Sequence, residues 1–294
     1  MNDSSKNSLM ALMVLSVAII LFQSGSAFAV KMFATIGPIA TVALRQGASA
    51  LLMGAFSKIW KIDYSKIDYR ALIPYGLSLG IMNSAFYYSI DKIPMGVAVA
   101  IEFSGPLLVS VFTSRKKIDF LWIIIAAIGI FLLLPTNEFS QKLDPIGLIF
   151  AAIAAAAWGA YIVFGHNLGK SMGETQAVAL GFVVSLLISL PLLIIVGIKQ
   201  NVPLINWLGF ALVLTFFSGA IPYSMEMFAL KRMKKSTFSL LMSLDPAFAA
   251  LSGFIFLQQK LVFLQILAIG FIIVASIGSS LGNKNTPPID EPLI

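Results

Sequence analysis

The sequence predicts an all-α integral membrane protein, with ten transmembrane helices arranged as two inverted five-helix repeats. Three observations carry this. First, 59% of the 294 residues are hydrophobic and only 11% are charged, with a mean hydropathy of +0.93. Soluble domains carry about 25% charged residues, and a soluble fold of this size buries only about 75% of the surface its unfolded chain exposes. Second, the apolar residues fall into ten runs, each close to the roughly 20 residues that a helix needs to cross about 30 Å of hydrocarbon. Third, a shift of 140 residues lays the second half of the chain on the first, with Pro106 on Pro246 and Ile81 on Ile221.

In order, the runs are Leu9–Val30, Ile36–Phe56, Ala71–Ile90, Pro94–Phe112, Ile118–Leu134, Pro145–Phe164, Gln176–Ile198, Trp207–Leu230, Phe238–Leu257 and Leu261–Leu281. They are continuous rather than alternating, which suits helices and not barrel strands. The first run, followed by Ala27-Phe28-Ala29, resembles a signal peptide. Its only basic flank is Lys6 and the apolar run continues through the site, so it is expected to stay in place. In the third run, Gly76-x-x-x-Gly80 is a close-packing pattern, as is the Ala-rich Ala151–Ala157 in the sixth. The tail from Lys284 to Ile294, with Pro287 and Pro288, is expected to be disordered. Residues 1–136 and 137–282 are therefore expected to form the two repeats, with 283–294 as a tail. An odd number of spans per half inverts the second half in the membrane, a construction recurrent in secondary transporters.

Charge orients the bundle. One side holds 14 Lys and Arg residues, including Lys58, Lys61, Lys66, Arg70, Arg115 and the Lys231–Lys235 cluster. The other holds five: Lys31, Lys92, Lys142, Lys199 and Lys260. Basic residues accumulate in cytoplasmic loops, so both termini are expected in the cytoplasm. The net charge of +7 is then a topology signal, and no nucleic-acid partner is expected.

The absence of Cys excludes disulfides and thiolate metal sites, and His166, the single His, cannot form a multi-histidine centre. His166 itself, next to a cytoplasmic loop, is expected to be solvated. No phosphate-binding loop or H-E-x-x-H motif occurs. No enzyme activity, cofactor or metal is expected.

Four ionisable residues lie within spans: Arg45, Glu102, Glu226 and Asp245. Insertion costs about 2.5–3.5 kcal/mol per such charge at a helix centre, so these residues mark a cavity or a partner. Pro106 frees the carbonyl of Glu102, and Pro246 frees that of Met242 beside Asp245. Equivalent spans four and nine are thus each broken next to an acid, the best sequence pointer to a transport site. Arg45 either binds a substrate carboxylate or pairs with Glu102 or Asp245. Glu102 and Asp245 are candidates for carrying protons; Glu226 is a candidate gate or proton site, or an interfacial partner of Lys231 or Arg232. Asn83, Tyr87, Trp158 and Tyr223 are candidate substrate contacts, since aromatic walls with a few polar groups suit a small polar ligand.

Several segments carry a resemblance: Thr41–Arg45 (TVALR), Tyr75–Ser84 (YGLSLGIMNS), Gly96–Leu107 (GVAVAIEFSGPL), Pro222–Leu230 (PYSMEMFAL) and Thr237–Gly253 (TFSLLMSLDPAFAALSG). Over nearly the whole chain these resemble the EamA-type branch of the drug/metabolite transporter superfamily, in its bacterial inner-membrane amino-acid exporter subgroup. The resemblance implies efflux of small neutral amino acids such as threonine or homoserine, driven by proton antiport through alternating access. It carries over Arg45, Glu102 and Glu226, whereas Asp245 stands where the branch more usually has Glu. Implied partners are the amino acid, protons and membrane lipids, with no obligate protein partner. The alternatives are efflux of another metabolite or drug, metabolite uptake, or a non-transporting membrane scaffold.

Overall fold

The computed structural model describes residues 3–93, 95–114, 116–133, 143–200, 204–233, 235–248, 251 and 263–282. Arg115, Lys142, Lys260, Lys284, the boundary between the two halves and the tail from 283 lie outside the described residues. Among the described residues there is helix and no strand.

Helix α1 spans Asp3–Ser57 and covers the first two predicted spans without the expected loop between them. The axis turns instead at Gly37, with φ 77° and ψ 165°, next to Pro38. Only glycine takes this backbone geometry at no steric cost. A straight helix would hold Phe22 and Arg45 about 35 Å apart, yet the Arg45 guanidinium lies 5.6 Å from the centre of the Phe22 ring.

Helix α2 follows at Tyr69–Lys92, capped by Asp68, whose carboxylate accepts from the N–H groups of Arg70 and Ala71. The fourth span divides into α3 (Met95–Glu102) and α4 (Ser104–Thr113). Next come α5 (Lys117–Leu133), α6 (Pro145–Ser171), capped by Asp144 with Pro145 in its first turn, and α7 (Glu174–Gln200). The eighth span is α8 (Leu204–Thr215), a π-helical segment Phe216–Ala220 and α9 (Ile221–Arg232). The ninth begins as α10 (Lys235–Leu241), turns at Met242 and Ser243, and resumes helix at 244–248. Helix α11 is Phe263–Gly282.

Four segments are long and apolar enough to cross a membrane on length and composition: Thr35–Ser57, Pro145–Ser171, Glu174–Ile195 and Leu208–Arg232. The pattern of exposure agrees. On α7, Ser185 and Ser189 are fully buried while Leu187 and Ile194 are 67% and 54% exposed. Polar inside and apolar outside is the reverse of a soluble helix and fits a lipid-facing surface.

Helix α2 sits centrally against α6 and α7, α1 packs on α7 and on the π segment with α9, and α5 packs on α11. Small residues permit these approaches. A Cβ at Gly76 would collide with Val184, and one at Gly80 would sit 3.0 Å from the Ser185 carbonyl oxygen, so the Gly76-x-x-x-Gly80 pattern does pack α2 on α7. A Cβ at Gly105 would collide with the carbonyl oxygen of Ala155, within the Ala-rich stretch of α6.

Candidate functional site

The helix breaks and the buried acids meet at one cavity. The breaks fall where proline removes a backbone donor: at Phe103, between Glu102 and Pro106, and at Met242–Ser243, before Pro246. About 570 Å³ of atom-free space lies at this cavity, part of it continuous with the exterior. Its lining includes Glu102, Glu226 and Asp245, together with Asn83, Trp158 and Tyr223. Six of the predicted site residues thus converge. Gln23 lies beside the Asp245 carboxyl, and Phe22, Phe86, Met82, Val99 and Met242 complete the wall.

Arg45 and Tyr87 do not line the cavity; they stand behind Asn83. Arg45 is 1% exposed. Its Nη2 donates to Asn83 Oδ1 and its Nη1 to the backbone carbonyl of Ser218 at 2.8 Å. The Tyr87 ring centre lies 5.1 Å from the guanidinium. Among the described residues no ion pair involves Arg45, so neither Glu102 nor Asp245 is its salt-bridge partner. Arg45 instead fastens span two to span eight, where Thr215 Oγ1 also donates to the Arg45 carbonyl at 3.0 Å.

Ser218 was not legible as a site residue, although a signal for it existed. Pro222 has no N–H, so the carbonyl four residues earlier, that of Ser218, loses its α-helical donor. The π segment sits at this point, and such segments cluster at functional sites. Close packing holds it: a Cβ at Gly25 would lie 2.5 Å from Ser218 Cβ, and one at Gly219 would lie 2.5 Å from Ser49 Oγ.

The remaining polar groups form a chain through aromatic rings. Asn83 Nδ2 donates to Tyr223 Oη at 3.0 Å and to the Leu79 carbonyl at 2.9 Å. The Tyr223 ring meets those of Phe22, Phe182 and Tyr161 edge-on. Tyr161 donates from its hydroxyl to Glu226 Oε2 at 3.1 Å and stacks on Tyr75. Glu226 is therefore not the partner of Lys231 or Arg232. Those two meet Glu174 at 3.5 and 2.7 Å. His166 is half-buried, and its Nδ1 lies 3.0 Å from the Leu230 carbonyl oxygen, at the last turn of α9. No cluster of three or more metal-ligating side chains occurs among the described residues.

The separation of Asn83 and Tyr223 is 140 residues, the same as the repeat shift. Two further lining pairs, Phe86 with Glu226 and Glu102 with Met242, share that offset.

Comparison with known proteins agrees with this architecture. The model of the EamA-like transporter family matches residues 145–281. The threonine/homoserine exporter RhtA of Salmonella typhimurium strain LT2 is 40% identical over 95% of this chain and 94% of its own length. The Escherichia coli K12 protein of that name is 39% identical over the same shares. Protein PecM of Dickeya dadantii is 26% identical over 76% of this chain and 79% of its own. One solved crystal structure superimposes with a TM-score of 0.75, covering 92% of this chain and 96% of that one at 16% identity, a likeness of fold.

Proposed function

This chain belongs to the EamA-like transporter family, and from that premise we propose that it is a secondary active exporter of small neutral amino acids resembling threonine and homoserine. It is a multi-pass membrane protein, which the reading places in the bacterial inner membrane with both termini cytoplasmic. The observation that carries the proposal is the convergence of Glu102, Glu226 and Asp245 with Asn83, Trp158 and Tyr223 on one cavity, beside helix breaks in spans four and nine. The identity to the RhtA exporters supplies the substrate class.

In this reading the ten helices form two inverted five-helix repeats. A residue that contacts its own repeat equivalent must lie on the axis relating the halves, and the Asn83–Tyr223 hydrogen bond supports a cavity on that axis. Glu102 and Asp245 exchange protons with the side to which the cavity opens, and Glu226, held by Tyr161, serves as a third protonatable group. Buried acids in one site titrate together, so protonation and substrate occupancy compete for the same charges. That competition is what couples proton entry to amino-acid exit under alternating access. Asn83, Trp158, Tyr223 and Glu102 contact the substrate, while Arg45 and Tyr87 act on it through Asn83.

The test is labelled threonine and homoserine uptake into inside-out proteoliposomes, with and without an acidic interior. Accumulation that requires the gradient is expected. Absence of transport of both compounds by folded protein would overturn the substrate assignment, and transport indifferent to the gradient would overturn antiport.

A further inference from the structure

A neutral amino acid carries one positive and one negative group, and the cavity is built for one of them. Three carboxyl groups line it, while no Lys, Arg or His does among the described residues. The one cation nearby, Arg45, has both terminal nitrogens engaged, on Ser218 and Asn83; its Nε is buried without a hydrogen-bond partner among the described residues, the guanidinium lies by the rings of Phe22 and Tyr87, and the residue is outside the cavity wall. Glu102 is a separate pointer to a ligand. It is 8% exposed, faces the cavity, and no hydrogen bond or ion pair to it occurs among the described residues. Buried carboxylates are otherwise found paired.

Resting on the exporter reading above, we infer that the cavity recognises its substrate through the ammonium group and does not require a free carboxylate. The ligand class is a protonated primary amine bearing a short polar side chain. The ammonium supplies the positive charge that the three acids lack, and Glu102 is the lining acid that Tyr161 and Gln23, the partners of Glu226 and Asp245, leave unengaged. The aromatic residues Phe22, Phe86, Trp158 and Tyr223 share the wall, and aromatic rings attract a desolvated ammonium. A substrate carboxylate, by contrast, finds no cation in the wall and only acids, which repel it when ionised. Amines lacking the carboxylate therefore compete with threonine for the site.

The experiment sets two analogues against labelled threonine in proteoliposomes at about pH 6.5, below the usual α-amino pKa of about 7.7–8.0. Threonine amide keeps the amine and loses the carboxylate; N-acetylthreonine does the opposite. The amide is expected to inhibit as well as unlabelled threonine, and N-acetylthreonine at least about thirtyfold more weakly, as for loss of one partner of a buried charge pair. Read by thermal stabilisation of the purified protein, E102Q is expected to lose at least about tenfold in amide affinity; should it not fold, D245N serves in its place. Equal inhibition by both analogues, or stronger inhibition by N-acetylthreonine, would overturn the inference. If labelled threonine is not transported at all, the exporter reading fails separately. Thermal stabilisation of the purified protein then decides, because selective stabilisation by the amide upholds amine recognition and any other pattern overturns it.

Discussion

Asn83 donates its side-chain amide to the hydroxyl of Tyr223 across 3.0 Å, although 140 residues separate them. The same shift aligns Pro106 with Pro246, and the breaks beside those prolines, at Phe103 and at Ser243, are equivalent under it. The cavity wall carries Glu226 where the equivalent residue is Phe86, and Glu102 where the equivalent is Met242. An acid in one half thus faces the site where the other half offers an apolar group. In the proposed duplicated scaffold, this divergence makes the centre chemically polar.

Replacing either acid removes a group on which proton coupling is proposed to depend. E102Q and D245N are each expected to abolish gradient-driven threonine accumulation while the protein still inserts and folds. Gradient-driven rates that stay at wild-type level in both variants would remove these residues from proton coupling.

Arg45 and Pro222 are expected to act as a unit. Restoring an N–H at position 222 gives the Ser218 carbonyl a helical donor that competes with Arg45. P222A and R45Q should each lower transport, and the double variant should fall short of their sum by a coupling energy of about 0.5–3 kcal/mol. A double-mutant cycle on kcat/KM measures it, and strict additivity would mean that the two do not share this carbonyl.

Tyr161 positions Glu226. The Y161F protein loses the hydroxyl that donates to Oε2, and hydrogen bonds to a charged group are worth about 1.5–3 kcal/mol. A fall of roughly tenfold or more in kcat/KM is expected on that basis, with no further loss when E226Q is added. An additional loss in the double variant would separate the two residues.

Helix crossing at Gly105 leaves no room for a methyl group. G105A should therefore cost upwards of about 1–3 kcal/mol of stability, as overpacking does. G270A meets no atom within 4 Å and should be neutral or slightly stabilising. Thermal unfolding of the two purified variants gives the comparison.

The Glu174 clamp on Lys231 and Arg232 joins the start of α7 to the end of α9. These side chains are a quarter to a third exposed, so E174A is expected to shift stability by under about 1 kcal/mol, and less in high salt. A salt titration of Tm in the wild type and the variant reads this directly.

The features that the sequence alone determined are those governed by neighbours in the chain. Apolar runs specify helices because lipid leaves no other partner for backbone polar groups, and Pro106 and Pro246 break spans four and nine because each lacks one donor. The same local rule holds at Pro222, whose missing N–H frees the Ser218 carbonyl. What only the tertiary structure decided are pairings between distant positions. Arg45 finds Ser218 and Asn83 rather than an acid, Glu226 finds Tyr161, and Lys231 and Arg232 find Glu174. A span's sequence states that a buried charge needs a partner, because an unpaired one is costly. Which partner it receives depends on how Gly76, Gly105 and Gly25 let the helices approach, and that geometry is a property of the packed bundle, not of any single span.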